Sequence, residues 1–464
     1  MKFARGLLLA SVALAAGCAV GPDYKRPAIA VADSYKEQVG WKPSEPGDIL
    51  NSGPWWQIYH DEVLNQLEQQ VEVSNENIKA AAAAVEQSLA LVQQAQAGFW
   101  PTVTANASKN RTGAGTAGPQ STDRLGASAS LNVDLWGQLR RTNESNKASA
   151  QVSVAALAAV RLTEQALLAS TYFQLRAQDR LQGLLDDTVA DQEQSLKITE
   201  SRFKFGVVSK ADVVTARTQL LTSQSQQANA AIKRAQLEHA IAVLVGKQPA
   251  AFALGPAAMP TLVPTVPAGV PSTLLERRPD IAEAERRVEA ANAQIGVAKA
   301  AYFPSLTLSG SDNYSHSGLE NLVSTSNRVW AFGPSLAETL FDGGLRTART
   351  AQARAAFEAS VDNYRQTVLT GFQQVEDAVV TLRVLEKQAV ISEAAVAAAR
   401  EAEALVLSQY KGGTVQYISV ISSQTTRLNS EVSALTILLD RLTSSVSMIQ
   451  AVGGGWNQAE LPTQ

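Results

Sequence analysis

Residues 125–140 read LGASASLNVDLWGQLR, in which a strand pattern passes directly into a helix pattern. Its first part alternates apolar and polar residues with period two, as a strand with one apolar face does. Trp136 and Gly137 follow, and the helical pattern that begins after them meets no proline before Gly206. The stretch therefore predicts a strand that turns directly into a very long helix.

The same order of elements recurs about 205 residues further along the chain, a period far longer than the ~20–50 residues of a solenoid repeat. The corresponding segments are Phe99-Trp100-Pro101 with Tyr302-Phe303-Pro304, Trp136–Arg140 with Asp342–Arg346, and Phe203–Gly206 with Tyr410–Gly413. Each copy contains one strand pair, which is not stable as an isolated hairpin. We therefore predict an internal two-fold repeat with residues 61–254 and 272–452 as its halves.

Two helical runs are unusually long. Leu139–Gly206 and Leu345–Gly412 each cover about 67 residues, or on the order of 100 Å at 1.5 Å per residue. Helices of this length without internal caps are typical of coiled coils. The remaining predicted helices are shorter and cover residues 62–98, 210–245, 279–301 and 414–452. We expect two short helices to stack in line beside one long helix, either 210–245 with 279–301 or 414–452 with 62–98.

The predicted helix at 62–98 carries a packing seam with heptad spacing. Its apolar a and d positions are Leu64, Leu67, Val71, Ile78, Val85 and Val92. The small residues Ser74, Ala81 and Ser88 fill the other d positions and permit close approach of a neighbouring backbone. An ordinary buried helix face would give the same pattern, but the length and regularity of the seam favour a coiled-coil wall.

The predicted strands cover residues of about 100–110, 125–135, 304–314 and 328–341. Their apolar residues alternate with Ser, Thr and Asn, and aromatic residues stand near their ends, which is the pattern of a transmembrane β-barrel. A soluble half-buried sheet gives the same alternation, so the repeat and the export signal favour the barrel. The polar stretches 111–124 and 315–327 are predicted as loops that face the cell exterior.

The number of strands predicts the oligomeric state. Four strands cannot close a barrel, and an open sheet edge is not tolerated in lipid. Three copies of the chain would supply twelve strands, an even number of the kind that membrane barrels use. We therefore predict a homotrimer.

The N-terminus predicts export and lipidation. Two basic residues precede an apolar run, Gly6–Ala16, that is too short to span a bilayer and indicates a signal peptide at residues 1–17. The run ends in Leu14-Ala15-Ala16-Gly17-Cys18, which resembles a lipobox, so we expect the single cysteine, Cys18, to be acylated. A buried or incidental cysteine is the alternative. The residue that follows is Ala19 rather than an aspartate, which indicates the outer membrane.

Composition limits the remaining possibilities. The formal charge is −3 and the chain has no basic block, so nucleic acid is not expected as a partner. Beyond the signal peptide, no apolar stretch is expected to reach the ~20 residues of a membrane helix. Residues 255–271 are rich in proline and cannot form a regular helix. With residues 18–60 and the tail at 453–464, they are predicted to form a mixed equatorial domain at mid-height.

No enzyme is predicted. His60, His239 and His316 lie in different elements, and nothing in the pattern brings them together for metal ligation. The glycine runs lack the context of a phosphate-binding loop. Methionine occurs only at positions 1, 259 and 448, which argues against a thioether path for copper or silver. We expect no catalytic residues, no metal and no cofactor apart from the covalent lipid on Cys18.

Several motifs occur together in the order of one known family. They are Ala19-Val20-Gly21-Pro22-Asp23-Tyr24-Lys25-Arg26-Pro27, Trp55-Trp56, Leu274-Leu275-Glu276-Arg277-Arg278-Pro279-Asp280-Ile281, Tyr302-Phe303-Pro304 and Phe341-Asp342-Gly343-Gly344. Through them the mature chain resembles the lipoprotein branch of the TolC-like outer-membrane factors, the exit ducts of tripartite efflux pumps. The resemblance implies an α+β membrane protein: a trimeric twelve-stranded β-barrel continuous with a twelve-helix periplasmic α-barrel. The partners it implies are outer-membrane lipid, a periplasmic adaptor and an inner-membrane transporter of the RND type.

The resemblance also places a gate and an adaptor-docking surface at the periplasmic tips of the helices. In this chain the tips are residues 202–212 and 409–422. Gly206 and Gly413 stand where each long helix must stop and reverse, a backbone position that suits glycine.

At the first tip, Asp212 matches an acidic position of the family's gate. Ser209 and Asp212 also have the spacing of a capping box, which would explain both residues locally. The two explanations are compatible, because a cap also fixes where the hairpin turns.

At the second tip, this sequence departs from much of the family. Ser419 and Ser422 stand where aspartates are common, so an acidic, cation-selective constriction is not expected. Tyr410, Tyr417 and Gln416 are the alternative candidates for holding the gate by packing or hydrogen bonding. The two tyrosines have a simpler interpretation as residues packed between helices.

Taken together, these patterns predict a passive, gated duct for drugs or other small molecules in the outer membrane. A duct for type I protein secretion is one alternative. A lipid-anchored structural coiled coil that conducts nothing is another, and the amphipathic strands with aromatic ends argue against it.

Overall fold

The computed structural model describes residues 19–32, 34–38, 54–115, 117–266 and 275–461, so Cys18 and the predicted signal peptide lie outside the described residues. The first half of the chain forms α1 (Glu62–Ser74), α2 (Glu76–Ala97), β1 (Thr102–Ala114), β2 (Ala117–Val133), α3 (Gln138–Lys204) and α4 (Lys210–Leu244). The second half forms α5 (Pro279–Ala300), β3 (Ser305–His316), β4 (Arg328–Ala337), α6 (Leu345–Lys411) and α7 (Tyr417–Ala451). Short 3-10 helices cover Lys36–Gln38, Trp55–Tyr59, Pro249–Ala251, Thr325–Asn327 and Gln458–Glu460.

The two long helices begin in the same way. α3 and α6 each run for 67 residues, as predicted, and each follows a glycine in the left-handed region, Gly137 at φ 84° and Gly344 at φ 94°. Asp134 accepts a hydrogen bond from the Leu139 N–H over 3.1 Å, and Asp342 accepts one from the Arg346 N–H over 3.1 Å. A carboxylate in this position satisfies free N–H groups and complements the positive end of the helix dipole. Both halves of the repeat therefore turn from strand to helix by the same device.

α3 is the central helix of the chain. Its first half packs between α2 and α5, where Asn146 donates to the Leu91 carbonyl and Ser145 donates to the Ala290 carbonyl. Its second half packs between α4 and α7. α6 packs against α5 in its first half and against α7 in its second. The helical part is therefore a wall of two long helices with pairs of short helices beside them.

The stacking predicted for the short helices is wrong. α4 ends beside the start of α2, where Asn75 Nδ2 donates to the Leu244 carbonyl over 2.9 Å. α7 ends beside the start of α5, where Arg278 Nη1 donates to the Ala451 carbonyl over 3.0 Å. α4 therefore continues α2, and α7 continues α5. The strand pair at one end of a long helix and the glycine turn at its other end place the two short helices of one half on the same side of that long helix. Helix lengths alone do not predict this side.

The predicted helix at 62–98 is broken at Asn75. This residue is extended, with ψ 126°, and its side-chain oxygen accepts hydrogen bonds from the N–H groups of Asn77 and Ile78. It is also buried, and its side-chain amide donates to Glu164 over 3.0 Å. The heptad seam continues across the break, because Val71 and Ile78 are both buried. The break arises from polar partners on α3 and α4, so the local pattern did not reveal it.

The four strands form one antiparallel sheet in the order β1-β2-β3-β4, so that β2 of the first half pairs with β3 of the second. The predicted alternation extends across all four strands. One row of cross-strand partners is apolar and consists of Val103, Ala129, Gly310 and Phe332. The next row lies on the opposite face and consists of Thr104, Ser128, Ser311 and Ala331. Trp330 and Phe332 on the apolar face are 71% and 76% exposed in the single chain.

The first predicted loop is largely strand. β1 continues to Ala114 and β2 begins at Ala117, so residues 111–124 contain only a tight turn near Gly115, whose φ is 52°. Polar residues pair across this extension; Lys109 Nζ lies 3.8 Å from Asp123 Oδ1. Backbone hydrogen bonds between strands do not require apolar side chains. The polarity of residues 111–124 therefore could not distinguish a strand from a loop. The second connection, between β3 and β4, spans most of the predicted loop at 315–327, and β4 ends at Ala337 rather than 341.

The main hydrophobic core lies midway along α3. Trp55, Tyr59 and Phe173 pack there, with the rings of Tyr59 and Phe173 centred 4.9 Å apart. By length and composition alone, α3 and α7 each contain a window apolar enough to cross a membrane, so the prediction that no such stretch follows the signal peptide is wrong. In α3 the apolar side chains include Leu168 and Leu175, which are buried in this core.

Candidate functional site

The first tip is a self-contained turn between α3 and α4. Gly206 has φ 72°, and the Val207 N–H donates to the Arg202 carbonyl over 2.9 Å, which closes the end of α3. Ser209 Oγ accepts from the Asp212 N–H over 3.2 Å, and Asp212 Oδ2 accepts from the Ser209 N–H over 2.9 Å. The capping box is therefore present, and the Asp212 carboxylate is engaged at the start of α4.

The second tip makes the same turn with a different start to the returning helix. Gly413 has φ 80°, and the Thr414 N–H donates to the Gln409 carbonyl over 3.0 Å. Gln416 stands at the N-cap of α7 but its exposed side chain makes no capping hydrogen bond. The second tip therefore depends on contacts other than a side-chain cap.

Those contacts come from a tyrosine pair, which we call the tyrosine cluster. Tyr410 and Tyr417 are 1% and 2% exposed, and their ring centres lie 5.4 Å apart. Val420 from α7 and Ala216 from α4 pack against them. The cluster thus brings α4, α6 and α7 together immediately above the tip.

Polar groups of α3 complete the tyrosine cluster. Thr199 Oγ1 lies 3.0 Å from the Tyr410 hydroxyl, and it also donates to the Ser195 carbonyl over 2.8 Å. Because Thr199 has one hydroxyl hydrogen, the Tyr410 O–H is the donor in their bond. The Arg202 guanidinium lies 4.7 Å from the centre of the Tyr410 ring and donates to the Tyr410 carbonyl over 2.5 Å. Sequence reasoning missed Thr199 and Arg202, because their partner lies in the other half of the chain.

Burial controls the ionisation of Tyr417. Burial, followed by the nearby Tyr410, raises the pKa of Tyr417 to about 12, and the neighbouring Ser195 opposes that shift. Tyr417 is therefore neutral at physiological pH, and the charged group in contact with the cluster is the Arg202 guanidinium.

Ser419 and Ser422 lie outside the tyrosine cluster. Ser419 is half-buried and Ser422 is exposed. Both line a shallow groove of about 380 Å³ between α6 and α7, whose other walls include Ala399, Ala402 and Val406. The groove is formed by small residues, and neither serine contributes a charge to it.

The N-terminal strap (residues 19–32) joins the two halves at the strand–helix junction. The Val20 N–H donates to the Trp136 carbonyl over 2.9 Å, and Asp23 pairs with Arg141 at 2.7 Å. Gly21 has φ 117°, and a Cβ there would lie 2.5 Å from the Cα of Gly296. The strap therefore requires glycine where it crosses α5, which gives a physical role to the Gly21 of the sequence motif.

An aromatic contact fixes the same junction. The rings of Trp136 and Phe303 stack with centres 4.8 Å apart, and Trp136 Nε1 donates to the Pro304 carbonyl over 2.7 Å. The tryptophan that follows β2 thus packs on the aromatic-proline motif that precedes β3. This contact holds the two hairpins in the register of a single sheet.

An amphipathic sheet at one end and helices that turn back at their tips at the other are the features of one chain of a membrane duct. A family model described as outer membrane efflux protein matches residues 67–247 and 270–454, which correspond to the two halves of the repeat. The chain belongs to the outer membrane efflux protein family. It is an outer-membrane channel that spans the outer membrane and extends into the periplasm.

Relatives and solved structures support this assignment. The chain is 29% identical to the probable efflux pump outer membrane protein TtgC of Pseudomonas putida, over 95% of this chain and 93% of the relative. It is 28% identical to the cation efflux system protein CusC of Escherichia coli, over 97% of this chain and 99% of the relative. A solved structure of the outer-membrane channel OprN superposes with a TM-score of 0.87 at 28% identity, covering 95% of this chain and 100% of that one. The predicted TolC-like outer-membrane efflux family, the α+β channel fold and the outer-membrane location are confirmed.

Proposed function

We propose that this protein is the gated exit duct of a tripartite efflux pump and passes small molecules to the cell exterior. One observation carries the proposal: an amphipathic sheet turns, at Gly137 and Gly344, directly into two helices of 67 residues each. At 1.5 Å per residue, helices of that length reach on the order of 100 Å beyond the sheet. A single chain thus provides both a membrane-spanning part and a long periplasmic part of one conduit.

We propose that the duct is a homotrimer. β1 and β4 stand at the two edges of the sheet, and each pairs on one side only within the chain. Unpaired backbone N–H and C=O groups are not tolerated in lipid, and four strands are too few for a closed membrane barrel. In the proposed trimer, β4 of one copy pairs with β1 of the next, which gives twelve strands and no open edge.

Acylated Cys18 is proposed as a second anchor in the outer membrane. The next residue, Ala19, lies against Gly137, where β2 turns into α3; a Cβ on Gly137 would be 2.8 Å from the Ala19 Cα. That position is the boundary between the apolar sheet and the helices. A lipid attached one residue earlier would therefore start at the membrane surface.

The two tips are the proposed gate and the docking surface for a periplasmic adaptor, which an RND-type inner-membrane transporter would accompany. The residues proposed for these roles are Gly206, Ser209, Asp212, Tyr410, Gly413, Gln416, Tyr417, Ser419 and Ser422. The buried tyrosine cluster supports a gate at the second tip. Exposed apolar side chains support docking at the first, where Phe205 is 81% and Val207 is 60% exposed.

Small organic molecules are the proposed cargo. The name of CusC refers to cation efflux, and soft thioether ligands are typical of copper(I) sites. In this chain Met259 and Met448 are 8% and 0% exposed, so neither sulfur faces a conduit. The relatives are channel proteins rather than enzymes, and transport through the duct is proposed to be passive.

Conductance of the purified, acylated protein in planar bilayers tests the proposal. Wild type is compared with a variant carrying Tyr410→Ala and Tyr417→Ala, and with Tyr302→Ala as a tyrosine control at the other end of the helices. We expect small, mostly closed currents from wild type and the control, and clearly larger currents from the double variant.

Other results would contradict parts of the proposal. Large currents from all three proteins would support a duct but exclude a gate at the second tip. If well-folded trimers of every variant pass no current, the protein is a structural lipoprotein and not a channel. A deletion strain that loses a secreted protein, rather than becoming sensitive to drugs, would indicate a secretion duct.

A further inference from the structure

Below the main core, the helices form two hairpins that must separate if the duct opens at its tips. The first hairpin is α3 with α4, and the second hairpin is α6 with α7. At the tips they are joined by Tyr410 of the second hairpin and by Thr199 and Arg202 of the first. A second junction between the hairpins lies further up, at Arg427 of α7.

Arg427 joins three helices through one guanidinium group. Its Nη2 lies 3.0 Å from Asp191 Oδ2 of α3, and its Nε lies 2.7 Å from Glu403 Oε2 of α6. Asp191 precedes Thr199 on the same helix, about 12 Å higher at 1.5 Å per residue. Arg427 therefore connects the hairpins well above the tyrosine cluster.

The two ion pairs of Arg427 differ in exposure and in the hairpin of the partner. The side chains of Arg427 and Glu403 are 16% and 11% exposed, whereas that of Asp191 is 45% exposed. Water and salt screen the pair with Asp191 more than the pair with Glu403. If the hairpins separate, the contact with Asp191 breaks first, and Arg427 leaves with the second hairpin.

Removing the arginine charge would do more than delete an attraction. Burial raises the pKa of the Glu403 carboxyl, the nearby Asp191 and Glu431 raise it further, and Arg427 opposes these effects. Without Arg427, the carboxylates of Asp191 and Glu403 would face each other across the boundary between the hairpins. Their repulsion would push α3 and α6 apart.

Among the ion pairs of residues 117–266 and 275–461, the pair of Arg427 with Asp191 is the one that joins the two hairpins between the core and the tips. A neighbouring pair provides a contrast. Arg400 Nε donates to Glu431 Oε1 over 2.7 Å, but both residues belong to the second hairpin. The same type of ion pair thus joins the two hairpins at Arg427 and lies within one hairpin at Arg400.

We infer that Arg427 is a positioning residue of the gate: it fastens the second hairpin to α3 through Asp191, and this contact must break before the hairpins separate beyond the tips. The inference rests on the proposed function as a gated duct and adds a residue to it. The tyrosine cluster joins the hairpins at the tips, and Arg427 adds a second contact that holds them together further up.

The test is planar-bilayer conductance of the full-length, acylated protein in about 0.1 M salt, where the Debye length of ~10 Å leaves ion pairs effective. The variants are Arg427→Gln, Asp191→Asn and, as the matched control, Arg400→Gln. We expect the first two to raise the mean conductance several-fold over wild type. We expect the control to stay at the wild-type level, because its ion pair lies within one hairpin.

If Arg427→Gln fails to fold, Asp191→Asn tests the inference alone. Asp191 is half-exposed, and asparagine keeps the shape of the aspartate side chain while removing its charge. The inference is wrong if Asp191→Asn conducts like wild type, or if Arg400→Gln raises the conductance equally. The Tyr410→Ala, Tyr417→Ala variant distinguishes a failure of the role assigned to Arg427 from a failure of the proposed function. If that variant conducts and Asp191→Asn does not exceed wild type, only the role of Arg427 fails; if no variant conducts, the proposed function itself fails.

Discussion

The two tips share one backbone turn but are stabilised in different ways. Gly206 and Gly413 have nearly equal φ angles, 72° and 80°, at the ends of helices of equal length. The first tip closes on itself through the capping box of Ser209 and Asp212. The second tip lacks a side-chain cap and instead buries Tyr410 against residues of α3.

This difference indicates how a duplicated hairpin can take on two tasks. A tip that carries its own cap keeps its shape when its neighbours move away, so it suits a docking surface. A tip whose contacts belong to another hairpin is stable only while that hairpin is adjacent, so it suits a gate. Both copies have the same backbone turn, but different contacts stabilise it in each copy.

The largest effect is expected from truncating the buried tyrosine. Tyr410→Ala removes a fully buried aromatic ring, and such truncations cost roughly 3–5 kcal/mol. We expect amide hydrogen exchange at residues 409–422 to accelerate strongly, while residues 206–212 of the first tip keep their protection. Phe205→Ala is the control, because Phe205 is 81% exposed and its loss should leave exchange at both tips unchanged. Equal acceleration at the two tips would contradict the difference between them.

High pH should loosen only the second tip. The pKa of Tyr417 is raised to about 12 in the folded protein, so its contribution to stability is complete below the ordinary tyrosine value of about 10. That contribution is lost as the pH rises from about 10 through about 12. We expect exchange at residues 409–422, corrected for its intrinsic pH dependence, to increase in this range.

Tyr417→Phe supplies the control for the pH experiment, since it keeps the ring and removes the ionisable group. Its second tip should be insensitive to pH in the same range. An equal pH response in this variant would assign the effect to other groups and exclude Tyr417 as its cause.

The shared turn should respond equally in both tips. Gly206→Ala and Gly413→Ala each place a Cβ on a left-handed residue, which costs roughly 1–2 kcal/mol. We expect similar decreases in thermal stability, measured by the loss of helical circular dichroism. Gly183→Ala is the control with the opposite expected effect, because Gly183 lies inside α3 and the added Cβ would meet no atom within 4 Å apart from the adjacent residues and the backbone of its own helix. It should stabilise α3 slightly. A much larger effect at one tip would show that the turns are not equivalent.

The smallest effect distinguishes the caps. Ser209→Ala removes a capping box and should cost about 1 kcal/mol at the start of α4, whereas Gln416→Ala should cost nothing measurable. Gln416→Ser should protect the first amides of α7, since serine is a good N-cap. Hydrogen exchange of the first turns of α4 and α7 measures all three. A loss of protection in Gln416→Ala would mean that the second tip has a cap of its own.

Local patterns predicted much of this fold because several of its elements are decided locally. The absence of proline predicted α3 and α6, period-two alternation predicted which faces of the strands are apolar, and glycine predicted the position of each turn. The capping box was predicted from the spacing of Ser209 and Asp212. The functional roles of the tip residues stay predictions, because turn geometry alone does not test them.

Two of the errors arise from contacts between distant segments. The break at Asn75 depends on partners in α3 and α4, and the order of the stacked helices depends on the side to which each turn returns the chain. In the sequence, Thr199 and Arg427 look like ordinary polar residues on the surface of a helix. Their importance appears only when the partner from the other half of the chain is in place.

The N-terminal strap has a consequence for the order in which the protein matures. Its partners come from both halves of the chain: Trp136 and Arg141 from the first, and Asn292 and Tyr364 from the second. The groove that receives the strap therefore does not exist until both halves have met. A segment that precedes both halves in the sequence is thus the last to reach its place, and its docking completes the subunit.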